Sequence, residues 1–390
     1  MKAVFFDASP TMLAKNLLPI AEYFKTKDND FEAIFVSAEI SSNVDVQVEQ
    51  ESILKIIKKN DFKLIKIKTF SKNKIRKFLM NESPDFLFIA GYRIFDRLWI
   101  GISKLLGIPT FTLQHGFEID YVFYKPIAIL SKFRKGVRLS IAIFNLAKVI
   151  NIEFINLYYD YVRYIFHGKL VKESRLNHKL LHPFISFVYS EYYKEFWENK
   201  FGFNKSQMII ITPSDFLLLN HIRGKTRQKG CCYITQTLVE DGRMKEKEFL
   251  RLMESYKEVA RSVEKFIIKL HPRSKVEYYD IFRELDNVII TRDFPNCQHY
   301  LTHYSSMAFT ASFLSDSVIL HELKGHPTPK ILKSIVSNIV YDTEEIIPIL
   351  NYGDNGCPNI EQQKKKLNYY AVMDDVNPYE RIYSEIKKIL

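Results

Sequence analysis

From one end to the other the chain alternates short β-rich runs with helical stretches, and this alternation constrains the fold more than any other feature of the sequence. Lys2-Ala3-Val4-Phe5-Phe6 reads as a strand leading through Asp7-Ala8-Ser9-Pro10 into a helix near Thr11–Lys25. Strands at Ala33–Ser37 and Leu64–Lys68, a helix at Asn73–Met80 and a buried strand at Pro84–Gly91 follow. A helix over Asp96–Leu106 stops at Gly107-Ile108-Pro109, ahead of a strand at Thr110–Leu113. The same grammar resumes at Phe187–Ser190, a helix at Glu191–Lys200 and a strand at Met208–Ile211. It returns with strands at Cys232–Thr235, Lys265–Leu270, Val288–Thr291 and Tyr300–Thr302, and with helices over Lys245–Val263 and near Val276–Leu285. Such a series predicts α/β domains with mainly parallel sheets. Single cores stop growing at roughly 250–300 residues, so 390 residues predict two domains. The polar stretch Asn220–Gly230 is the expected linker, dividing a domain of residues 1–219 from one of residues 220–390. A last helix over Asn377–Leu390 is placed to pack back across the interface.

Hydrophobic content of 47% with 26% charged residues is that of a globular chain, and 30 Phe with 23 Tyr is an aromatic excess. Cys231-Cys232 are adjacent, Cys297 and Cys357 lie far off, and no zinc-type spacing occurs, which points to reduced thiols and a cytoplasmic setting. The first apolar run meets Asp7 too soon for a signal peptide, and Leu139–Phe166 is broken by charged and amide side chains before it reaches spanning length. The formal charge of +11 is concentrated: 11 Lys and Arg against three acids lie between Lys125 and Leu180, among Phe, Tyr, Ile and Leu. Residues 125–180 therefore read either as a basic amphipathic insertion that meets an anionic membrane surface or as core helices with a solvated basic face. No nucleic-acid module accompanies the charge. GxGxxG and GxxxxGK[ST] are both absent, which argues against dinucleotide enzymes and P-loop kinases. His299, His303, His321 and His326 are spaced unlike metal ligands on one helix, so no metal site is expected.

Ligands of open α/β sheets bind outside the carboxyl ends of the strands, and five polar clusters stand there: Gln114-His115-Gly116, Thr235-Gln236-Thr237, Glu240-Asp241-Gly242, His271-Pro272-Arg273 and Tyr304-Ser305-Ser306. An acid of the turn Glu240-Asp241-Gly242 is suited to accept a proton from an attacking hydroxyl. His271, fixed by Pro272, is expected to act as an imidazolium donating to a phosphate. Ser305 and Ser306 head a helix over Met307–Leu314, whose first amides form an anion site. Arg273 is a further phosphate partner or a surface residue.

The order Glu240-Asp241-Gly242, His271-Pro272, Ser305-Ser306 resembles the three short motifs of bacterial sialyltransferases of the GT-B type, over roughly residues 230 to 330. The resemblance implies two Rossmann-like domains facing across a cleft, the first binding acceptor and the second binding donor. It implies a CMP-activated nonulosonic acid as donor, metal-independent inverting transfer to a hydroxyl of a cell-surface glycan, and no cofactor. Glu240 or Asp241 is then the base, His271 contacts the CMP phosphate, Ser305 and Ser306 hold it, and Gln236, Gly242, Pro272 and Arg273 complete the donor site. Gln114-His115-Gly116 looks like an element of surface-polysaccharide transferases, among them transferases of Kdo, and would face the cleft or the acceptor. Kdo is also CMP-activated and some of its transferases retain configuration, so sugar and stereochemistry stay open. UDP-sugar or CDP-alditol transfer on the same scaffold is the first alternative, and a non-catalytic membrane-peripheral glycan-assembly protein is the second. An acceptor carried on lipid at the inner face of the bacterial inner membrane fits the basic aromatic segment.

Overall fold

Phe5 and Phe6 are neighbours in β1 (Lys2–Phe6), so their rings point to opposite faces of the sheet. On one face Phe5 lies level with Phe35 of β2 (Glu32–Ala38) and Phe88 of β4 (Phe86–Ala90), and Phe88 lies level with Phe111 of β5 (Thr110–Leu113). The rings stack at centroid separations of 5.2, 5.9 and 6.3 Å along that row. Each such pair adds about 0.5–1.5 kcal/mol beyond the area it buries, so the aromatic row locks four strands into one register. On the opposite face Phe6 stacks on Trp99 of the helix Ile94–Leu105 at 4.7 Å. Much of the aromatic excess is thus core.

The computed structural model describes residues 1–9, 12–38, 56–67, 71–118, 139–167, 173–351, 360–374 and 376–390. With β3 (Lys63–Ile67), β6 (Ile185–Val188) and β7 (Met208–Ile210), the aromatic strands form a parallel seven-stranded sheet in the order β3-β2-β1-β4-β5-β6-β7. A second parallel sheet contains β8 (Gln228–Ile234), β9 (Phe266–Lys269), β10 (Val288–Thr291), β11 (Cys297–Thr302), β12 (Ser317–His321) and β13 (Asn338–Val340), in the order β10-β9-β8-β11-β12-β13. Two parallel α/β units are what the alternation predicts. β8 enters its sheet at Gly230, whose φ of 129° and closeness to β9 leave no room for a side chain: a Cβ there would stand 2.0 Å from the Lys265 carbonyl oxygen.

In both sheets the chain lays down strands outward from the middle, first to one side and then to the other. The direction changes between β1 and β4 in the first sheet and between β8 and β11 in the second. The first unit takes residues 1–117, 129–212 and 374–390, and the second takes 118–128 and 213–373. Residues 220–230 hold the short helix Leu219–Arg223 and the start of β8. The last helix, Pro378–Lys387, rests on Leu18–Lys27 of the first unit, where Tyr383 meets Phe24 edge-on at 4.9 Å. Just ahead of it, Thr212 Oγ1 donates to Asp374 Oδ1 at 2.6 Å and accepts from the Asp374 amide at 3.1 Å.

Of the basic segment, residues 125–138 and 168–172 lie outside the described residues. What is described includes a helix over 139–150 and the helix Phe154–His167. Ile143, Leu146, Ile150 and Leu157 are buried, whereas Ile141, Phe144, Ile155 and Tyr159 are exposed. Among the described residues no helix is long and apolar enough to cross a membrane.

Candidate functional site

The carboxyl ends of β8 and β11 flank the point where the second sheet changes direction, the place where open α/β sheets bind ligands. Thr235 follows β8 and is buried; its Oγ1 accepts from the His271 amide at 2.9 Å and lies 3.3 Å from Ser274 Oγ. One hydroxyl thereby fixes the loop after β9 against the end of β8. His271 Nδ1 accepts from the Arg273 amide at 3.1 Å, which leaves the ring proton on Nε2. Burial first, then the cations of Arg273 and Lys269, lower the His271 pKa to about 4. This corrects the expected imidazolium: at neutral pH the ring is uncharged and donates through Nε2–H.

Glu240-Asp241-Gly242 forms the turn expected of it, with Gly242 at φ 65°. Its two acids are held differently. Asp241 receives Arg273 through both oxygens, at 2.7 and 3.1 Å, and Thr237 Oγ1 donates to it at 2.7 Å, while Arg243 Nη2 stands 3.7 Å away. Burial opposes its charge, but Arg273 and Thr237 outweigh that, and its carboxyl is held below the ordinary range. Glu240 Oε1 accepts only a backbone bond among these, from the Lys275 amide at 2.9 Å. Gln236 is half-buried beside them, and the Pro272 carbonyl accepts from Arg292 at 2.7 Å. Arg273, a candidate phosphate partner, is thus ion-paired to Asp241.

Across the change of direction, the Arg243 guanidinium lies over the Tyr304 ring, 5.2 Å from its centroid, linking the Asp241 turn to the loop after β11. Ser305 Oγ accepts from the Met307 amide at 3.2 Å, whereas Ser306 makes no side-chain cap to the helix Met307–Leu314. The cap is therefore the buried Ser305, and Ser306 is the more open of the pair.

No protein-family model matches the chain, and no curated protein matches it. Solved structures do. The UDP-GlcNAc 2-epimerase of Neisseria meningitidis bound to UDP-GlcNAc superposes with a TM-score of 0.53 at 12% identity, over 100% of both chains. UGT71G1 of Medicago truncatula, complexed with UDP-glucose, gives a TM-score of 0.53 at 10% identity over 100% of this chain and 98% of that one. The UDP-GlcNAc 2-epimerase of Methanocaldococcus jannaschii gives 0.51 at 13% identity, again over 100% of both. The chain has the GT-B fold.

Within this GT-B chain the loops after β8, β9 and β11 bring Gln236, Glu240, Asp241, His271, Arg273 and Ser305 into one linked cluster of the second unit. Gln114, His115 and Gly116 belong to the first unit, after β5. Gln114 is turned inward: its Nε2 donates to the Gly116 carbonyl at 2.9 Å and its Oε1 accepts from the Tyr189 amide at 3.0 Å. His115 Nδ1 accepts from Asn16 Nδ2 at 3.2 Å.

Behind Ser305 lies a buried polar chain that no motif announces. His303 Nδ1 donates to the His321 carbonyl at 3.2 Å, and its Nε2 accepts from Tyr233 Oη at 3.0 Å. His321 Nε2 donates to the Tyr341 carbonyl at 3.3 Å, and its Nδ1 accepts from Tyr256 Oη at 2.7 Å. Both rings are neutral in one defined tautomer each, and burial lowers the His303 pKa to about 3. The histidine-dense stretch is in this part a packing device. Arg243 and Lys275 were not singled out from sequence; their only signal is a cation directly beside a turn that follows a strand.

Proposed function

We propose that this GT-B chain is a glycosyltransferase that moves a nonulosonic acid from a CMP-sugar to a hydroxyl of a cell-surface glycan, without a metal ion and with inversion. The observation that carries it is the polar cluster at the direction change of the second sheet. There His271 Nε2–H and the amide end of the helix Met307–Leu314, headed by Ser305 and Ser306, offer donors to a phosphate. These donors offset charge building on the departing nucleotide. Glu240 is the base, accepting the acceptor proton as oxygen attacks the anomeric carbon. Asp241 holds Arg273 in place and is too strongly ion-paired to be a good proton acceptor. The CMP preference rests on the three sequence motifs. Exposed Ile141, Phe144, Ile155 and Tyr159 beside Lys148 and Arg163 support a lipid-carried acceptor at an anionic membrane surface.

Transfer of a UDP-linked sugar is the second reading, favoured by the UDP-GlcNAc and UDP-glucose bound in the structures of similar fold. Calorimetric titration with CMP, CDP, UDP and GDP decides between them. CMP binding that is weakened at least tenfold by His271→Ala, with nucleotide release dependent on acceptor and insensitive to chelator, supports the first. UDP binding with no response to CMP replaces it with the second, and binding of no nucleotide sinks both.

A further inference from the structure

Arg243 leaves the Glu240-Asp241-Gly242 turn with its amide donating to the Leu238 carbonyl at 2.8 Å, so its side chain starts from a fixed point. That side chain is 20% exposed, and its guanidinium touches both sides of the direction change. Nη2 stands 3.7 Å from Asp241 Oδ2, and the group lies over the Tyr304 ring, directly ahead of Ser305-Ser306, 5.2 Å from the centroid. An aromatic face holds a cation in place and leaves it its charge. Asp241 is set against two guanidinium groups, Arg273 at 2.7 and 3.1 Å and Arg243 at 3.7 Å, one carboxylate to two cations. The neighbouring cations are turned to other groups: Arg292 Nη1 donates to the Pro272 carbonyl at 2.7 Å, and the Lys275 ammonium lies 5.7 Å from the centre of the Tyr278 ring. His271 feels the same excess of positive charge, since after burial its pKa is lowered by Arg273, Lys269 and Arg243 against the opposing Asp241.

We propose that Arg243 is the carboxylate-binding residue of this site, its guanidinium pairing with the acid group that the donor sugar carries on its anomeric carbon. This rests on the CMP-nonulosonic acid reading and gives a task to a residue that none of the three motifs contains. A nonulosonic acid is a 2-keto acid, so its carboxylate sits on the very carbon that the acceptor oxygen attacks and the phosphate leaves. The partner of that carboxylate must stand between the base and the phosphate donors. Arg243 touches the turn of Glu240 on one side and the loop of Ser305 and Ser306 on the other. Charge makes the same demand. Glu240, acting as base, comes close to a second carboxylate once the sugar is bound, and like charges repel strongly in a half-buried site. A guanidinium beside both offsets that repulsion and keeps Glu240 ionised, and its planar fork matches a carboxylate. An aldose linked to UDP carries no acid on its anomeric carbon and gives Arg243 no such group to bind.

Calorimetry on the full chain with CMP, CMP-N-acetylneuraminate and CMP-Kdo tests this in wild type, Arg243→Gln and Arg243→Lys. Both CMP-sugars carry the acid, and CMP lacks it. We expect Arg243→Gln to weaken the more tightly bound CMP-sugar at least tenfold and CMP less than twofold. Arg243→Lys, which keeps the charge and loses the fork, should fall between wild type and Arg243→Gln. Melting curves establish that each variant is folded. Should Arg243→Gln not fold, Arg243→Lys decides through a loss of threefold or more confined to the CMP-sugar. Equal weakening of CMP and CMP-sugar in a folded variant, no weakening of either, or a wild type that binds CMP and neither CMP-sugar overturns the role of Arg243 and leaves CMP recognition standing. A wild type that binds none of the three compounds overturns the CMP reading itself, and the carboxylate site falls with it.

Discussion

At the scale of single residues, burial sets the charge of the groups that matter. Asp7 has its pKa raised to about 6 by burial, against a partial lowering by Arg93. A raised acid binds its proton more tightly folded than unfolded, so its stabilising contribution is complete below the unfolded value of about 3.8 and is lost as pH rises through about 6. Asp7→Asn should therefore raise the melting temperature at pH 7.5, by the equivalent of up to about 3 kcal/mol, and the gain should vanish by pH 4. His303 runs the other way. Its folded pKa of about 3 lies below the unfolded 6.5, so it supports the fold above pH 6.5 and loses that support progressively as pH falls toward 3. Tyr256→Phe removes the donor to His321 Nδ1 and should cost about 1–3 kcal/mol in urea unfolding at pH 7.5. That Glu240, Asp241, His271 and Ser305 stand just after strands was legible in the sequence. Their charge states were not, because the ion pair of Asp241 needs Arg273, 32 residues away and brought close by the parallel pairing of β8 with β9, and His271 is kept neutral first by a burial that the fold alone creates.

At the scale of elements, sequence pattern and structure agree best where a turn residue stands at the boundary. β1, β5, β10 and the helix Met307–Leu314 begin and end where the pattern places them. β12 and β13 escape it, since Ser317–His321 directly follows an equally apolar helix and a short apolar run has no period of its own. Val276–Phe282 is helical but wound as a 3-10 helix, which places Tyr279 and Phe282, three apart, on the same buried side. The helix expected from Thr11 starts with a π-helical turn over Leu13–Leu17, which no propensity foretells. Gly230 has the sharpest consequence among the elements. Gly230→Ala forces a carbon into the Lys265 carbonyl and should lower the melting temperature by several degrees or abolish folding, whereas Gly107→Ala, which meets nothing within 4 Å, costs only the strain of its positive φ.

At the scale of the whole molecule, the exposed apolar residues of the basic segment carry a prediction about surfaces. Vesicles of phosphatidylcholine with phosphatidylglycerol should sediment the protein, vesicles of phosphatidylcholine alone should not, and Ile141→Ser with Phe144→Ser and Ile155→Ser should weaken sedimentation about tenfold or more. Sedimentation unchanged by the triple substitution would discard the membrane reading and leave these residues to a protein partner.

The Thr212–Asp374 pair has a further consequence. The long excursion of the chain from Pro213 to Met373 leaves and returns between two residues already joined by hydrogen bonds, so the excursion behaves as a cassette with a closed doorway. Bridging that doorway costs almost no loop entropy. A shortened gene encoding residues 1–212, a brief Gly-Ser bridge and residues 374–390 should yield a cooperatively melting protein. Swapping the cassette for that of another protein of like architecture is then a route to exchanging what this part of the chain binds while the rest is left as it is.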